Sequence, residues 1–227
     1  MKVVFNYLNS PAEIELKSFS IIKSKVNRLD LSDEEKEILL RIIHTTADFQ
    51  FQKLFYISKN FLDYWYEMIL SAKKENKKIS VYVDTEMIKA GVNKNKLRFV
   101  GINLFCPVNY DSVQKIAEKT QLTRAIVGID WTVKNRKNTR VFVIGNSPTA
   151  LFRLCEHLQK NVIDNVIVIG VPVGFVGAKE SKLFLQKLNV PKILIKGEKG
   201  GSTIAVAILN SLLNLSIRKL GFNENPK

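Results

Sequence analysis

Arg41, His44 and Asp48 follow one another at steps of three and four, a spacing that stacks side chains along one edge of a helix. A cation, an imidazole and a carboxylate gathered in this way can move a proton. Histidine titrates nearest neutrality of all side chains and is the commonest general acid or base. The C-terminal end of a helix and a neighbouring carboxylate favour the imidazolium, whereas Arg41 opposes it. Asp48 stands at the margin of the helical pattern. By residue type alone, His44 also fits a lone histidine making one structural hydrogen bond. His157, the second of the two histidines, falls in a later helical stretch and reads as a structural or surface residue.

Two glycine-bearing turns have the composition of anion sites. In Gly145-Asn146-Ser147-Pro148-Thr149 a strand runs into a proline that can open a helix, and in Lys196-Gly197-Glu198-Lys199-Gly200-Gly201-Ser202 paired glycines and a serine precede a helix of small residues. Exposed N–H groups at the positive end of a helix dipole hold carboxylate or phosphate in such places. Glycine serves tight packing of a turn equally well, so spacing leaves both readings open. Neither turn has the phosphate-loop pattern, and no G-x-G-x-x-G occurs, so nucleotide binding has no support. A third stretch, Gly170 to Lys182, carries Gly174, Gly177 and an apolar Val173-Gly174-Phe175-Val176 centre, which suits a large flat ligand better than a small phosphate.

These residues need a scaffold, and the apolar patterning supplies one. Five runs read as buried strands: Ile79–Val83, Phe99–Phe105, Val141–Ile144, Val166–Ile169 and Ile193–Ile195. Between them lie helical patterns at 33–47, 61–72, 112–119, 122–133, 149–159, 178–188 and 202–213. Strands alternating with helices predict a mainly parallel sheet covered on both faces, with ligands at the carboxyl ends of the strands. The first of these helices opens on Ser32 with Glu35 three residues on, a capping box, and Ile38, Leu39, Ile42 and Ile43 form its apolar stripe. The sequence of 227 residues has no Pro/Gly-rich linker or repeat, so one domain over 1–227 is expected, with a polar tail over 218–227.

Thirty-five Lys and Arg against 21 Asp and Glu give +14. Such a surface steers polyanions of any kind, or reflects drift in composition. A nucleic-acid partner is not favoured, because no recognisable binding motif or basic–aromatic interleaving accompanies the charge. No apolar run is long enough to span a bilayer. Residues 1–19 carry Glu13 and Glu15 and no apolar signal core. The two cysteines, Cys106 and Cys155, lie far apart outside any metal or redox spacing, so a cytoplasmic protein with buried thiols and no metal site is expected.

Taken in order, several blocks closely resemble the precorrin-8X and cobalt-precorrin-8 methylmutases. They are Lys17-Ser18-Phe19-Ser20, Arg41-Ile42-Ile43-His44-Thr45-Thr46-Ala47-Asp48-Phe49, Asp84-Thr85-Glu86-Met87, Ala90-Gly91-Val92, Leu122-Thr123-Arg124-Ala125, Gly145 to Leu151, Pro172 to Lys182 and Gly200-Gly201-Ser202. The resemblance implies an α/β/α sandwich that pairs into a homodimer. It implies an isomerase that moves a methyl group from ring carbon 11 to ring carbon 12 of a contracted tetrapyrrole polycarboxylate, giving hydrogenobyrinic or cobyrinic acid. No cofactor is implied, and any cobalt belongs to the substrate. The family's proton donor and acceptor falls on His44. Substrate contacts fall on Ser18, Arg41, Thr45, Arg124, Gly145, Asn146, Thr149, Gly174, Phe175, Ser181, Gly200, Gly201 and Ser202, with Asp48, Asp84 and Glu180 as further candidates. Arginine suits peripheral carboxylates because its guanidinium is planar and always charged.

The sequence departs from the family pattern at Glu198, where a basic residue is usual, and at Ser147, where alanine is commoner. The wording around Thr45 to Phe49 is nearer the cobalt branch. A corrinoid-binding carrier without catalysis is the alternative on the same scaffold.

Overall fold

The computed structural model describes residues 7–221. Six strands, β1 (Phe55–Ile57), β2 (Ile79–Val83), β3 (Ile102–Phe105), β4 (Thr139–Ile144), β5 (Ile167–Gly170) and β6 (Lys192–Ile195), form one sheet in the order β1-β6-β5-β4-β2-β3. All pairings are parallel except β1 with β6. The sheet therefore has one strand more than the five read from the sequence. β1 has only three residues, too few for a periodic signal.

Alternation along the strands explains the layers, since successive side chains point to opposite faces. Val81, Val83, Val141, Val143, Ile167 and Ile169 enter one apolar core together with α2 (Asp33–Thr46), α4 (Phe61–Lys74) and α11 (Ser202–Lys219). Tyr82, Phe142, Ile144 and Val168 enter a second core with α8 (Arg124–Asn135), α9 (Pro148–Gln159) and α10 (Ala178–Lys187). The result is the expected three-layer α/β/α sandwich.

Four helices were not foreseen. They are α1 (Pro11–Lys25), α3 (Phe51–Leu54), α5 (Glu86–Gly91) and α6 (Lys94–Val100), while α7 (Asp111–Thr120) answers to the pattern at 112–119. In α1 only Ile22 is buried, so no apolar stripe marks the helix, though Ser10 caps it and Pro11 opens it. The expected strand start at Phe99 is corrected: Asn93 caps α6, Leu97 and Val100 are its buried pair, and Gly101, at φ 81°, turns the chain into β3. α11 extends through Lys219, because Leu215, Ser216 and Ile217 remain buried. Arg218 and Lys219, expected in the tail, are thus helical, and residues 222–227 lie outside the described residues.

The capping box at α2 is present in full. The Ser32 hydroxyl accepts from the Glu35 amide at 3.2 Å, and the Glu35 carboxylate accepts from the Ser32 amide at 2.8 Å. At the other end Ala47 takes the left-handed conformation, φ 52°, and stops the helix two residues beyond His44.

Candidate active site

The chain leaves β2 for β3 on one side and then returns to place β4 on the other. Between β2 and β4 the direction of winding reverses, so a crevice opens at their carboxyl ends. Asp84 follows β2 there. Its carboxylate accepts the amides of Gly145 at 2.9 Å, Asn146 at 2.8 Å and Ser147 at 2.7 Å, all just beyond β4. Burial lifts this carboxyl above the usual carboxylate range, and the three N–H bonds pull the other way. The anion cradle predicted at this turn is real, but it is filled from within: the amides hold Asp84. The turn therefore presents to a ligand only Asn146, which is exposed, and the hydroxyls of Ser147 and Thr149, 2.9 Å apart.

At the second turn tight packing, one of the two readings left open, is what the structure shows. A β-carbon on Gly200 would stand 2.2 Å from the Val171 carbonyl oxygen and 2.5 Å from that of Pro172. The loops after β5 and β6 thus touch backbone to backbone. Gly201 donates to Val171 at 2.8 Å and Gly174 to Glu198 at 3.1 Å. Lys182, fully enclosed, donates to the carbonyls of Pro172 at 3.0 Å and Lys199 at 2.7 Å. Burial pulls its amine down to about 8. Glycine here serves close packing. Glu198 contributes its carbonyl to this zipper and leaves its side chain exposed.

His44 lies near the end of α2, where it meets α1. The Ser18 hydroxyl is 2.8 Å from its Nδ1, and the Phe19 ring stacks on the imidazole at 5.0 Å and 9°. The Arg41 guanidinium lies 4.7 Å from the Phe19 ring centre and pairs with Glu15 at 2.8 Å. Asp48 does not join this edge. The turn at Ala47 carries it out of the helix, where it accepts the Gln50 amide at 2.8 Å and pairs with Lys199, whose ammonium holds its carboxyl below the usual range. The ion pair ties the loop before α11 to the end of the helix that carries His44.

Arg41, His44 and Thr45 open on a cleft of about 1120 Å³, which also takes in Met87 of α5 and Thr203, Val206 and Asn210 of α11. The Ser202 and Thr85 hydroxyls, each close in sequence to a lining residue, are 3.1 Å apart. Of the predicted residues, Ser18, Arg41, His44 and Thr45 come together, and Ser202 precedes the cleft-lining Thr203. Ser18 acts on the imidazole itself.

Other expected contacts lie elsewhere in the chain. Arg124 opens α8 on a separate depression of about 460 Å³. The Thr149 hydroxyl is 3.1 Å from that of Thr123, which caps that helix. Ser181 is enclosed and gives its hydroxyl to the Ala178 carbonyl at 3.0 Å. Glu180 is exposed in the first turn of α10. Phe175, on the loop with Gly174, is 95% exposed and Val176 89%. His157, read as structural, donates from Nε2 to Asp130 at 2.6 Å, a carboxylate that Arg153 also grips. Sequence reasoning missed the wall made by α11. The available signal was Asn210 and Asn214, two amides one turn apart inside an apolar helix.

The family described as Precorrin-8X methylmutase matches residues 13–215. The chain is 38% identical over 218 residues to a cobalt-precorrin-8 methylmutase of Leptospira interrogans, covering 93% of this chain and 96% of that one. It is 38% identical over 213 residues to a cobalt-precorrin-8 methylmutase of Salmonella typhimurium, covering 92% and 97%. A precorrin-8X methylmutase of Sinorhizobium is 31% identical over 212 residues, covering 92% and 96%. Among solved structures, the precorrin-8x methyl mutase from Thermus thermophilus superposes with a TM-score of 0.80 at 30% identity, covering 94% of this chain and 100% of that one.

Proposed function

Because the chain belongs to the precorrin-8X methylmutase family, isomerases of cobalamin biosynthesis that act on a tetrapyrrole, we propose that it moves the methyl group of cobalt-precorrin-8 from ring carbon 11 to ring carbon 12, giving cobyrinic acid, with His44 as the proton donor and acceptor. Precorrin-8X and hydrogenobyrinic acid are the cobalt-free counterparts. The names of the relatives at 38% identity favour the cobalt branch. No protein-bound cofactor takes part in this reading, and cobalt arrives with the substrate.

The observation that carries the reading is the engagement of Nδ1. With Ser18 at 2.8 Å on that nitrogen, Nε2 is the one left to serve the cleft, and it has no hydrogen-bond partner among the described residues. With the Nδ1–H of the imidazolium donated to the Ser18 hydroxyl, the Nε2 proton is the one a ring nitrogen of the macrocycle can take, leaving a neutral imidazole. Stacking on Phe19 keeps the plane of the imidazole from turning. Protonation redistributes the conjugated electrons so that the methyl can migrate, and the same nitrogen then recovers the proton.

Replacing His44 by Ala tests this directly. Turnover of cobalt-precorrin-8 falls by about 10² to 10⁴, the usual share of a positioned acid or base, while the circular dichroism spectrum stays native. Near-normal turnover by the folded variant overturns the assignment.

A homodimer completes the reading. Arg124 and Phe175 lie apart from the His44 cleft in one chain, and the apolar tip of Val173, Phe175 and Val176 is the surface offered to a second copy. Sedimentation of wild type and Phe175→Asp at equal concentration checks it: a dimer that becomes a monomer supports the pairing, and a wild-type monomer refutes it.

A further inference from the structure

Antiparallel packing of α2 and α11 aligns the cleft along both helices: Glu37 pairs with Arg218 at 2.6 Å and Glu34 with Lys219 at 3.2 Å, whereas Thr203 shares the His44 end. From Thr203 to Arg218 one face of α11 lines it, a run of about 22 Å at 1.5 Å per residue. Near His44 this face is flat and small, made by Thr203, Val206 and Ala207. Toward the far end it turns polar, with Asn210, Asn214 and Arg218.

Three cations border the cleft. Arg41 pairs with Glu15 at 2.8 Å, Arg218 pairs with Glu37 at 2.6 Å, and Lys96 of α6 donates to the Asn214 side-chain oxygen at 2.5 Å with no carboxylate partner among the described residues. Both glutamates line the cleft as well. The pairs are open to water: the Glu15 side chain is 51% exposed and that of Arg218 63%. Ion pairs of this kind contribute about 0–1 kcal/mol, so exchanging one carboxylate for another there costs little.

We propose that Arg41, Lys96 and Arg218 are a line of anchors for the ligand's peripheral carboxylates, and that Glu15 and Glu37 are internal counter-ions which those carboxylates displace. This rests on the proposed function for the identity of the ligand, but it adds what that reading lacks. Lys96 and Arg218 become binding residues, and two glutamates become competitors. Arg41 stands one turn of α2 from His44 and Lys96 and Arg218 lie toward the far end of the cleft, so the line sets which edge of the macrocycle meets His44.

The test is a visible-absorbance titration of the full chain with cobyrinic acid and with its fully methyl-esterified form. It reads binding without turnover. Glu37→Gln and Arg218→Gln break the same ion pair, so a purely structural pair shifts affinity in one direction in both variants. The proposal requires opposite signs. Arg218→Gln weakens cobyrinic acid about tenfold, and Glu37→Gln tightens it roughly two- to fivefold, the range of an exposed pair. Lys96→Gln, which breaks no ion pair, weakens it by a similar factor to Arg218→Gln, and the ester is indifferent to all three. Shifts of the same sign, or unchanged affinity in Lys96→Gln and Arg218→Gln, overturn the anchors, as does a wild-type chain that does not bind cobyrinic acid. Loss of the His44 assignment leaves the opposite signs standing, and loss of the anchors leaves the His44 result standing.

Discussion

The Ser18 hydroxyl and the His44 Nδ1 are 2.8 Å apart, a contact between two helices whose partners are 26 residues apart in sequence. A serine expected to touch substrate thus reaches the site through the imidazole. Removing it in Ser18→Ala leaves Phe19 stacking in place and frees the choice of tautomer. One net hydrogen bond is worth about 1 kcal/mol, so turnover drops roughly five- to tenfold, far less than in His44→Ala. Steady-state rates on cobalt-precorrin-8 decide it, and a variant as fast as wild type shows that stacking alone orients the ring.

Asp84 holds three amides of the turn after β4. An asparagine keeps the size but loses the charge and turns an N–H₂ group toward N–H donors. Charge-assisted bonds contribute about 1.5–3 kcal/mol each and do not add, so Asp84→Asn destabilises the fold by about 2–4 kcal/mol. The urea midpoint measures it. A shift equivalent to under about 0.5 kcal/mol, the scale of a neutral surface change, means the cradle does not need the carboxylate.

Gly200 lies against the carbonyls of Val171 and Pro172 with no room for a methyl group. In Gly200→Ala the loops after β5 and β6 must part, costing about 1–3 kcal/mol as overpacking does. Gly174→Ala gives a contrast, because nothing stands within 4 Å of its added carbon and its cost comes from φ 146° alone. Thermal melts of the two variants, with Gly200→Ala losing activity alongside stability, test the zipper.

Lys182 donates to two carbonyls at that junction, and Lys182→Met leaves the Pro172 and Lys199 oxygens without that donor at a cost of about 1–3 kcal/mol. The pH dependence has a definite sign. With the native amine pulled down to about 8 and the unfolded one near 10.5, the unfolded chain binds more protons between those values, so stability from this group rises with pH there. Below about 8 both states are charged and the burial penalty is present in full. The wild-type advantage over Lys182→Met therefore widens between pH 8 and 10. A constant gap across that window shows that the amine is not depressed.

Much of the scaffold follows from local sequence. Ile79–Val83 is a strand at its predicted bounds, and the capping box at Ser32 and Glu35 starts α2 where expected. A continuous β-branched run and a reciprocal cap are decided within a few residues, so no distant partner can overrule them. His44 and Arg41 were legible for the same reason: three residues apart on one helix, they share an edge whatever the rest of the chain does. Asp48 was misplaced by the same extrapolation, because a left-handed Ala47 is not signalled by its residue type. The sequence also marked the turns at Gly145 and Gly200 as special without saying who uses their backbone groups. Only the tertiary structure settles that Asp84 fills one cradle and the Val171 and Pro172 carbonyls the other, or that α11 walls the cleft with Asn210, Asn214 and Arg218. Those are contacts between residues tens to more than a hundred positions apart, and hydrogen-bond demand names a partner's chemistry, while only folding brings one to it.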